Sequence, residues 1–127
     1  SLQSGCTETL KRMNRHYTAD EYRTVCNHLR ETFPNCALTT DVMVGFAGET
    51  EEEFEKSFQF VKEIGFSKIH VFPYSIRPGT IAAKMDGQNS NEIKNNRCRK
   101  MIAMGQQKQE KFLKQLIISQ KNVICNN

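Results

Sequence analysis

The stretch Thr40-Asp41-Val42-Met43-Val44-Gly45-Phe46-Ala47-Gly48-Glu49-Thr50 constrains the fold of this chain more than any other. Leu38 to Val44 is apolar and β-branched enough for a buried strand, yet Asp41 lies inside it. An interior carboxylate is costly unless it is hydrogen-bonded or meets a ligand. Gly45 and Gly48 then permit a turn or a close backbone approach that a Cβ would block. Thr50-Glu51-Glu52-Glu53 reads as a capping box with acidic residues in the first helical turn, where the helix dipole favours them. Strand, tight turn and helix in this order place a ligand site at the carboxyl end of the strand in α/β proteins.

Further elements flank this unit. Thr7 to Met13 reads as a short helix, and Thr18-Ala19-Asp20-Glu21 is a second capping box opening a helix through about Thr32. Its apolar stripe is Tyr22, Val25, Cys26, Leu29 and Phe33, and Pro34-Asn35 ends it. The helix after the glycine turn runs from Glu51 to Ile64, with Phe54, Phe58 and Val61 on one face and Gly65 as its cap. Lys68 to Tyr74 is a second strand, Ser75 to Thr80 a loop, and Asn91 to about Ser119 a long helix weakened at Gly105. Its expected seam is Ile93, Met101, Ile102, Phe112, Leu113, Leu116 and Ile117. Alternation of strand and helix implies parallel strands. Within the strand Thr39, Asp41 and Met43 share one face, leaving Val42 and Val44 to pack under helices.

Composition excludes several classes. With 127 residues, 25% charged and 38% apolar, the chain is long enough for one domain with a core. No apolar run approaches the roughly 20 residues of a transmembrane helix, so a membrane partner is not expected. The start at Ser1 is read as that of an excised piece. Five cysteines, at Cys6, Cys26, Cys36, Cys98 and Cys125, are scattered without a close pair. They give no zinc ribbon or cluster triplet and read as reduced thiols of a cytoplasmic protein, so none is assigned to metal. The net charge of +4 is concentrated in the last third, at Lys94, Arg97, Arg99, Lys100, Lys108, Lys111, Lys114 and Lys121. A solvated helix face and a polyanionic partner such as RNA both fit that run.

Four motifs in order carry a family resemblance. They are Leu2-Gln3-Ser4-Gly5, Met13 to Thr18, Asp41 to Thr50, and His70-Val71-Phe72-Pro73-Tyr74-Ser75-Ile76-Arg77-Pro78-Gly79-Thr80. Together, over about residues 1–120, they resemble the second half of the radical-SAM core of tRNA methylthiotransferases. The last motif with Ala82-Ala83-Lys84-Met85 looks most like the branch acting on N6-threonylcarbamoyladenosine beside the tRNA anticodon. Ala47 stands where the family usually has proline, a loss of turn rigidity but of no chemical group.

The resemblance implies an α/β fold, the C-terminal part of a TIM-like partial (β/α) barrel with parallel strands and a long final helix. Residues 121–127 would start a linker to a following RNA-binding domain or tail. The family cleaves S-adenosylmethionine with one 4Fe-4S cluster to a 5′-deoxyadenosyl radical, and uses a second cluster to insert sulfur at C2 of the adenine. The cysteine loop for the first cluster and the domain for the second do not occur in this sequence. The implied partners are therefore tRNA, S-adenosylmethionine and a reductant, with this piece alone inactive and, as a cut barrel, prone to self-association. The implied cofactor residues are Gln3, Arg15, Asp41, Gly45 and Ser75, and no catalytic residue is assigned. Gln3 offers an amide donor and acceptor, Arg15 a planar fork for the methionyl carboxylate, and Asp41 an acceptor for ribose hydroxyls, with Gly45 and the backbone at Ser75 near the adenine.

Plainer readings of the same residues stand beside these. Arg15 fits an ion pair, and Asp41 a bond to backbone or buried water. His70, Phe72 and Tyr74 fit core positions, and Arg77 to Thr80 fits either a structural turn or a tRNA contact. Two alternative functions remain. One is another radical-SAM enzyme, such as a ribosomal-protein methylthiotransferase or a coproporphyrinogen-oxidase-like protein. The other is a basic RNA-binding module without catalysis.

Overall fold

A computed structural model describes residues 2–34 and 37–125, with the backbone course alone for 119–125. Cys36 and residues 126–127 of the expected linker lie outside the described residues, as does the side chain of Cys125. The elements are α1 (Thr7–Arg12), α2 (Ala19–Thr32), β1 (Thr39–Val44), α3 (Glu51–Ile64), β2 (Lys68–Pro73), a short 3-10 turn (Ala82–Lys84) and α4 (Asn91–Cys125).

β1 and β2 pair in parallel, with Asp41 opposite His70 and Met43 opposite Phe72. Gln3 adds a parallel bridge to Val42 on the other edge of β1, its N–H donating to the Asp41 carbonyl and its carbonyl accepting from the Met43 N–H. The alternation expected of β1 is realised: Val42 and Val44 are buried, and Asp41 and Met43 are half-buried on the opposite face. α3 and α4 pack over the first face, where Phe54, Val61, Ile64, Phe66, Met101 and Met104 join the two valines. Each such side chain removed from water stabilises the fold by roughly 1.5–3 kcal/mol. The other face of the sheet carries Asp41, Met43, His70 and Phe72; Met43 packs against the cluster of Phe46, Ala47 and Tyr74, and no α-helix covers this face among the described residues.

Both capping boxes form at the N-terminal side, with Thr18 accepting from the Glu21 N–H and Thr50 from the Glu53 N–H. Glu53 does not reach back to its own cap. Its carboxylate accepts from Thr9 and pairs with Arg12, tying α3 to α1. Gly65 ends α3 in the left-handed conformation at φ 69°.

Three expectations are corrected. Of the stripe expected on α2, Tyr22 and Cys26 turn inward, while Val25, Leu29 and Phe33 are 57%, 37% and 60% exposed. α2 packs on α3, and the side of it that joins the core carries Ala19, Tyr22 and Cys26. On α4, Met101 is buried as expected and Phe112 is half-buried, but Ile93 and Ile102 face out and Leu113, Leu116 and Ile117 are exposed; Lys94, Arg97, Met104 and Gly105 complete the seam with Met101. Lys94 and Arg97, counted in the basic run that fits a solvated face, are therefore buried. Gly105 does not break the helix, because α4 continues to Cys125, beyond Ser119. A Cβ at Gly105 would stand 3.4 Å from Ile69 of β2, an ordinary van der Waals contact, so the helix packs on the sheet here without needing a glycine.

Candidate functional site

The site is built where β1 and β2 end. β1 runs into Gly45, at φ 74°, and the turn closes with the Glu49 N–H donating to the Phe46 carbonyl. The Glu49 side chain folds back under the turn, accepting from the Gly45 N–H at 2.9 Å. Arg97 of α4 donates to the Glu49 carboxylate and to the Glu49 carbonyl, at 2.9 and 3.1 Å, and pairs with Glu51 at 3.0 Å. Burial pushes the Glu49 carboxyl above its ordinary value, against the opposing pull of the Gly45 amide and the Arg97 charge. From the other side, Arg12 donates to the Ala47 carbonyl, so the backbone at the non-proline position is held by a hydrogen bond. A distant loop completes the clamp: Gly48 donates to the Gly87 carbonyl, and the Asn89 amide donates to the carbonyls of Phe46 and Glu49. The turn is thus fixed by α1, α4 and the segment before α4.

Two cavities open beside it. One, of about 530 Å³, is lined by Gln3, Lys11, Asn14, Arg15, Met43 and Met85, among others. The second, of about 360 Å³, is lined by Met43, Phe72, Tyr74, Ser75, Arg77 and Thr80, among others. Both fall in the ~300–1,000 Å³ range of small-molecule sites. Met43 and Ala82 belong to both linings, so the cavities adjoin.

The structure brings Gln3 and Arg15 to one cavity and Ser75 to its neighbour. Gln3 has φ 68°, a left-handed conformation that costs a non-glycine residue energy and concentrates at functional sites, while Asn14, at φ 60°, is the left-handed residue that ends α1. Tyr17 donates its hydroxyl to the Leu2 carbonyl at 2.8 Å, fixing the residue beside Gln3. Arg15 is exposed and pairs with no carboxylate among the described residues, so the ion-pair alternative finds no partner there. Asp41 lines neither cavity. It lies two residues before Met43 on the same face, about 7 Å further along the strand. Gly45 packs against α4 rather than on a cavity: a Cβ there would stand 2.5 Å from Cγ of Lys94. Ser75 and Arg77 are exposed, and Thr80 bonds the Arg77 carbonyl through its hydroxyl, so Arg77 to Thr80 is a structural turn that also borders the second cavity.

Sequence reasoning missed three features. The Glu49–Arg97 pair and the buried Lys94 were hidden in a run of basic residues, although Lys94, Arg97, Met101 and Met104 have helical spacing. His70 was read as core and is exposed on the open face, while Tyr74 is buried as expected. Among the described residues no group of three His, Cys, Asp or Glu could hold a metal ion, and no helix is long and apolar enough to cross a membrane.

Residues 1–61 match the model of the radical SAM superfamily. The chain is 46% identical over 114 residues to the threonylcarbamoyladenosine tRNA methylthiotransferase MtaB of Bacillus subtilis, covering 90% of this chain and 25% of that protein. It is 40% identical over 126 residues to the tRNA-2-methylthio-N(6)-dimethylallyladenosine synthase of Ehrlichia chaffeensis, covering 99% of this chain and 28% of that one. A synthase of the same name from Clostridium botulinum is 44% identical over 101 residues, with 80% and 22% covered. The chain spans about a quarter of the length of these curated relatives.

Proposed function

Because this chain belongs to the radical-SAM tRNA methylthiotransferase family, we propose that it forms part of an enzyme that methylthiolates a hypermodified adenosine in tRNA. The observation that carries the reading is the joining of Gln3 and Arg15 in one cavity at the strand ends, beside the clamped turn of the matched region. N6-Threonylcarbamoyladenosine is the substrate in the name of the Bacillus subtilis relative, whereas the other two relatives are named for the dimethylallyl base.

S-Adenosylmethionine, with iron–sulfur clusters held elsewhere in such an enzyme, supplies the radical chemistry. The described residues do not fit a cluster, so no step of it is assigned to them. They do fit the cofactor's polar groups. Arg15, which pairs with no carboxylate among the described residues and shares the cavity lining with Lys11, gives a cationic wall suited to the methionyl carboxylate. Gln3 beside it can donate and accept, and Asp41 further along the face can accept from ribose hydroxyls. Ser75 borders the adjoining cavity. Gly45 acts by a different route from direct contact, by admitting the Lys94 stem against the turn.

The fold belongs to the same reading: a partial barrel whose open sheet face is its interior. The exposed outer stripe of α2 and the single bridge at Gln3 are then surfaces a preceding strand and helix would cover, and the reason a separated piece would self-associate. A linker from 121 toward an RNA-binding domain and a cytoplasmic site of action complete the proposal.

The test uses the complete enzyme. Asp41→Asn and Arg15→Ala should each weaken S-adenosylmethionine binding about ten- to a hundredfold, the effect of one lost charge-assisted hydrogen bond, while leaving tRNA affinity nearly unchanged. Unchanged cofactor affinity in a folded variant removes that residue from the site. Loss of tRNA binding alone would favour the non-catalytic RNA-binding module.

A further inference from the structure

The open face of the sheet carries one feature that the cofactor assignment leaves unused. His70 and Phe72 are two residues apart on β2, so their side chains leave the same face. Their rings lie 5.7 Å apart with an interplanar angle of 30°. His70 is exposed and Phe72 half-buried, with Phe72 also lining the cavity at Ser75. Across the ladder, Asp41 is the register partner of His70, and Met43 that of Phe72. No hydrogen bond from the imidazole is present among the described residues.

A packed core does not require this arrangement. The buried side chains of the sheet lie on its other face, under α3 and α4. Two near-parallel rings beside a carboxylate, continuous with a cavity walled by Met43 and Tyr74, have the chemistry that receives a planar base: π-surface for stacking and an acceptor at the edge. Phe72 and Met43 join the pair to the cavities already described, so the occupant shares their mouth.

We propose that His70 and Phe72 form a stacking platform for a purine base held over the open face of the sheet. This rests on the methylthiotransferase reading, which brings two purines to the protein: the adenine of the cofactor and the adenosine of the RNA. His70 acts through its ring surface and not through its charge, so a phenylalanine in its place should serve.

The complete enzyme and its His70→Ala and His70→Phe variants would be titrated with S-adenosylhomocysteine and, separately, with an anticodon stem-loop RNA carrying the target adenosine or a base-free sugar at that position. Thermal unfolding would be followed in parallel. Loss of a base–aromatic stack predicts about a five- to hundredfold weaker affinity for His70→Ala, restored by His70→Phe, with little change in melting temperature because the side chain is exposed. If S-adenosylhomocysteine binding falls, the base is the cofactor's. If only RNA binding falls, and the base-free RNA is insensitive to the substitution, the base is the substrate's. Unchanged affinity for both ligands, or a His70→Phe variant as impaired as His70→Ala, overturns the platform while leaving the methylthiotransferase reading intact. A wild-type enzyme that binds neither ligand overturns both.

Discussion

Arg97 of α4 and Glu49 of the turn after β1 form an ion pair at 2.9 Å in which neither side chain is more than 4% exposed. The pair joins the long helix to the strand end through the carboxylate that also accepts the Gly45 amide. Arg97 further lies over the Phe54 ring at 5.5 Å, so its removal would empty both a charge site and part of the core.

Arg97→Met should therefore destabilise the protein by about 3–5 kcal/mol, the cost of leaving a buried carboxylate without its cation. Adding Glu49→Gln to it should recover part of the loss, because no charge then remains buried. Urea unfolding of the wild type, both single variants and the double variant measures this. A loss below about 0.5 kcal/mol for Arg97→Met would place the pair with ordinary surface contacts.

The same pair gives a pH dependence of defined sign. Burial raises the Glu49 carboxyl above its ordinary 4.5, so between that value and the folded pKa the native state binds the proton more tightly than the unfolded chain. Stability from this group is thus present below about pH 4.5 and declines as pH rises through the folded pKa. The wild type measured relative to Glu49→Gln should show this decline, and the Arg97→Met background should steepen it. A difference flat with pH from 4 to 8 would contradict the assignment.

Gly45→Ala combines a left-handed backbone at φ 74° with a Cβ that would stand 2.5 Å from Cγ of Lys94. The expected loss is about 1–3 kcal/mol. Lys94→Ala removes the obstructing stem but not the backbone cost, so in the double variant the two losses should sum to more than the measured total. Strict additivity in a double-mutant cycle would show that Lys94 does not fill that space.

Thiol chemistry tests the core. Cys6 and Cys26 are 1% and 3% exposed, and burial pushes the Cys6 thiol above its ordinary value. Cys98, half-buried and likewise raised by burial, is the most accessible of the three. Of these three, iodoacetamide under native conditions, followed by mass spectrometry, should label Cys98 first and reach Cys6 and Cys26 only on unfolding. Early labelling of Cys26 would mean that α2 does not pack as described.

Features legible in the sequence were those decided by neighbouring residues. Thr18 and Thr50 cap their helices, Gly65 ends α3, and period-two alternation placed Asp41 opposite to Val42 and Val44. The burial of Lys94 and Arg97 was not legible, because a basic residue is buried only when a distant partner receives it. For Arg97 that partner, Glu49, is far away in sequence. The faces of α2 and α4 failed for the complementary reason: apolar spacing says that a stripe exists but not which neighbour is there to cover it. Gln3 and Arg15 are placed at the site by family resemblance; the left-handed turn at Asn14 that ends α1 is one asparagine favours, whereas the left-handed Gln3 is announced by no local propensity.

The contact of Gly48 with Gly87 carries a consequence for how this region can vary. Loops ordinarily absorb insertions and deletions with little effect. Here a Cβ on Gly87 would come within 3.1 Å of the Gly48 backbone, and two residues later Asn89 must reach both the Phe46 and Glu49 carbonyls. The spacing from Gly87 through Asn89 to the first turn of α4 is consequently a ruler. One residue more or fewer there would shift Lys94 and Arg97 around the helix by about 100°, away from the turn they hold.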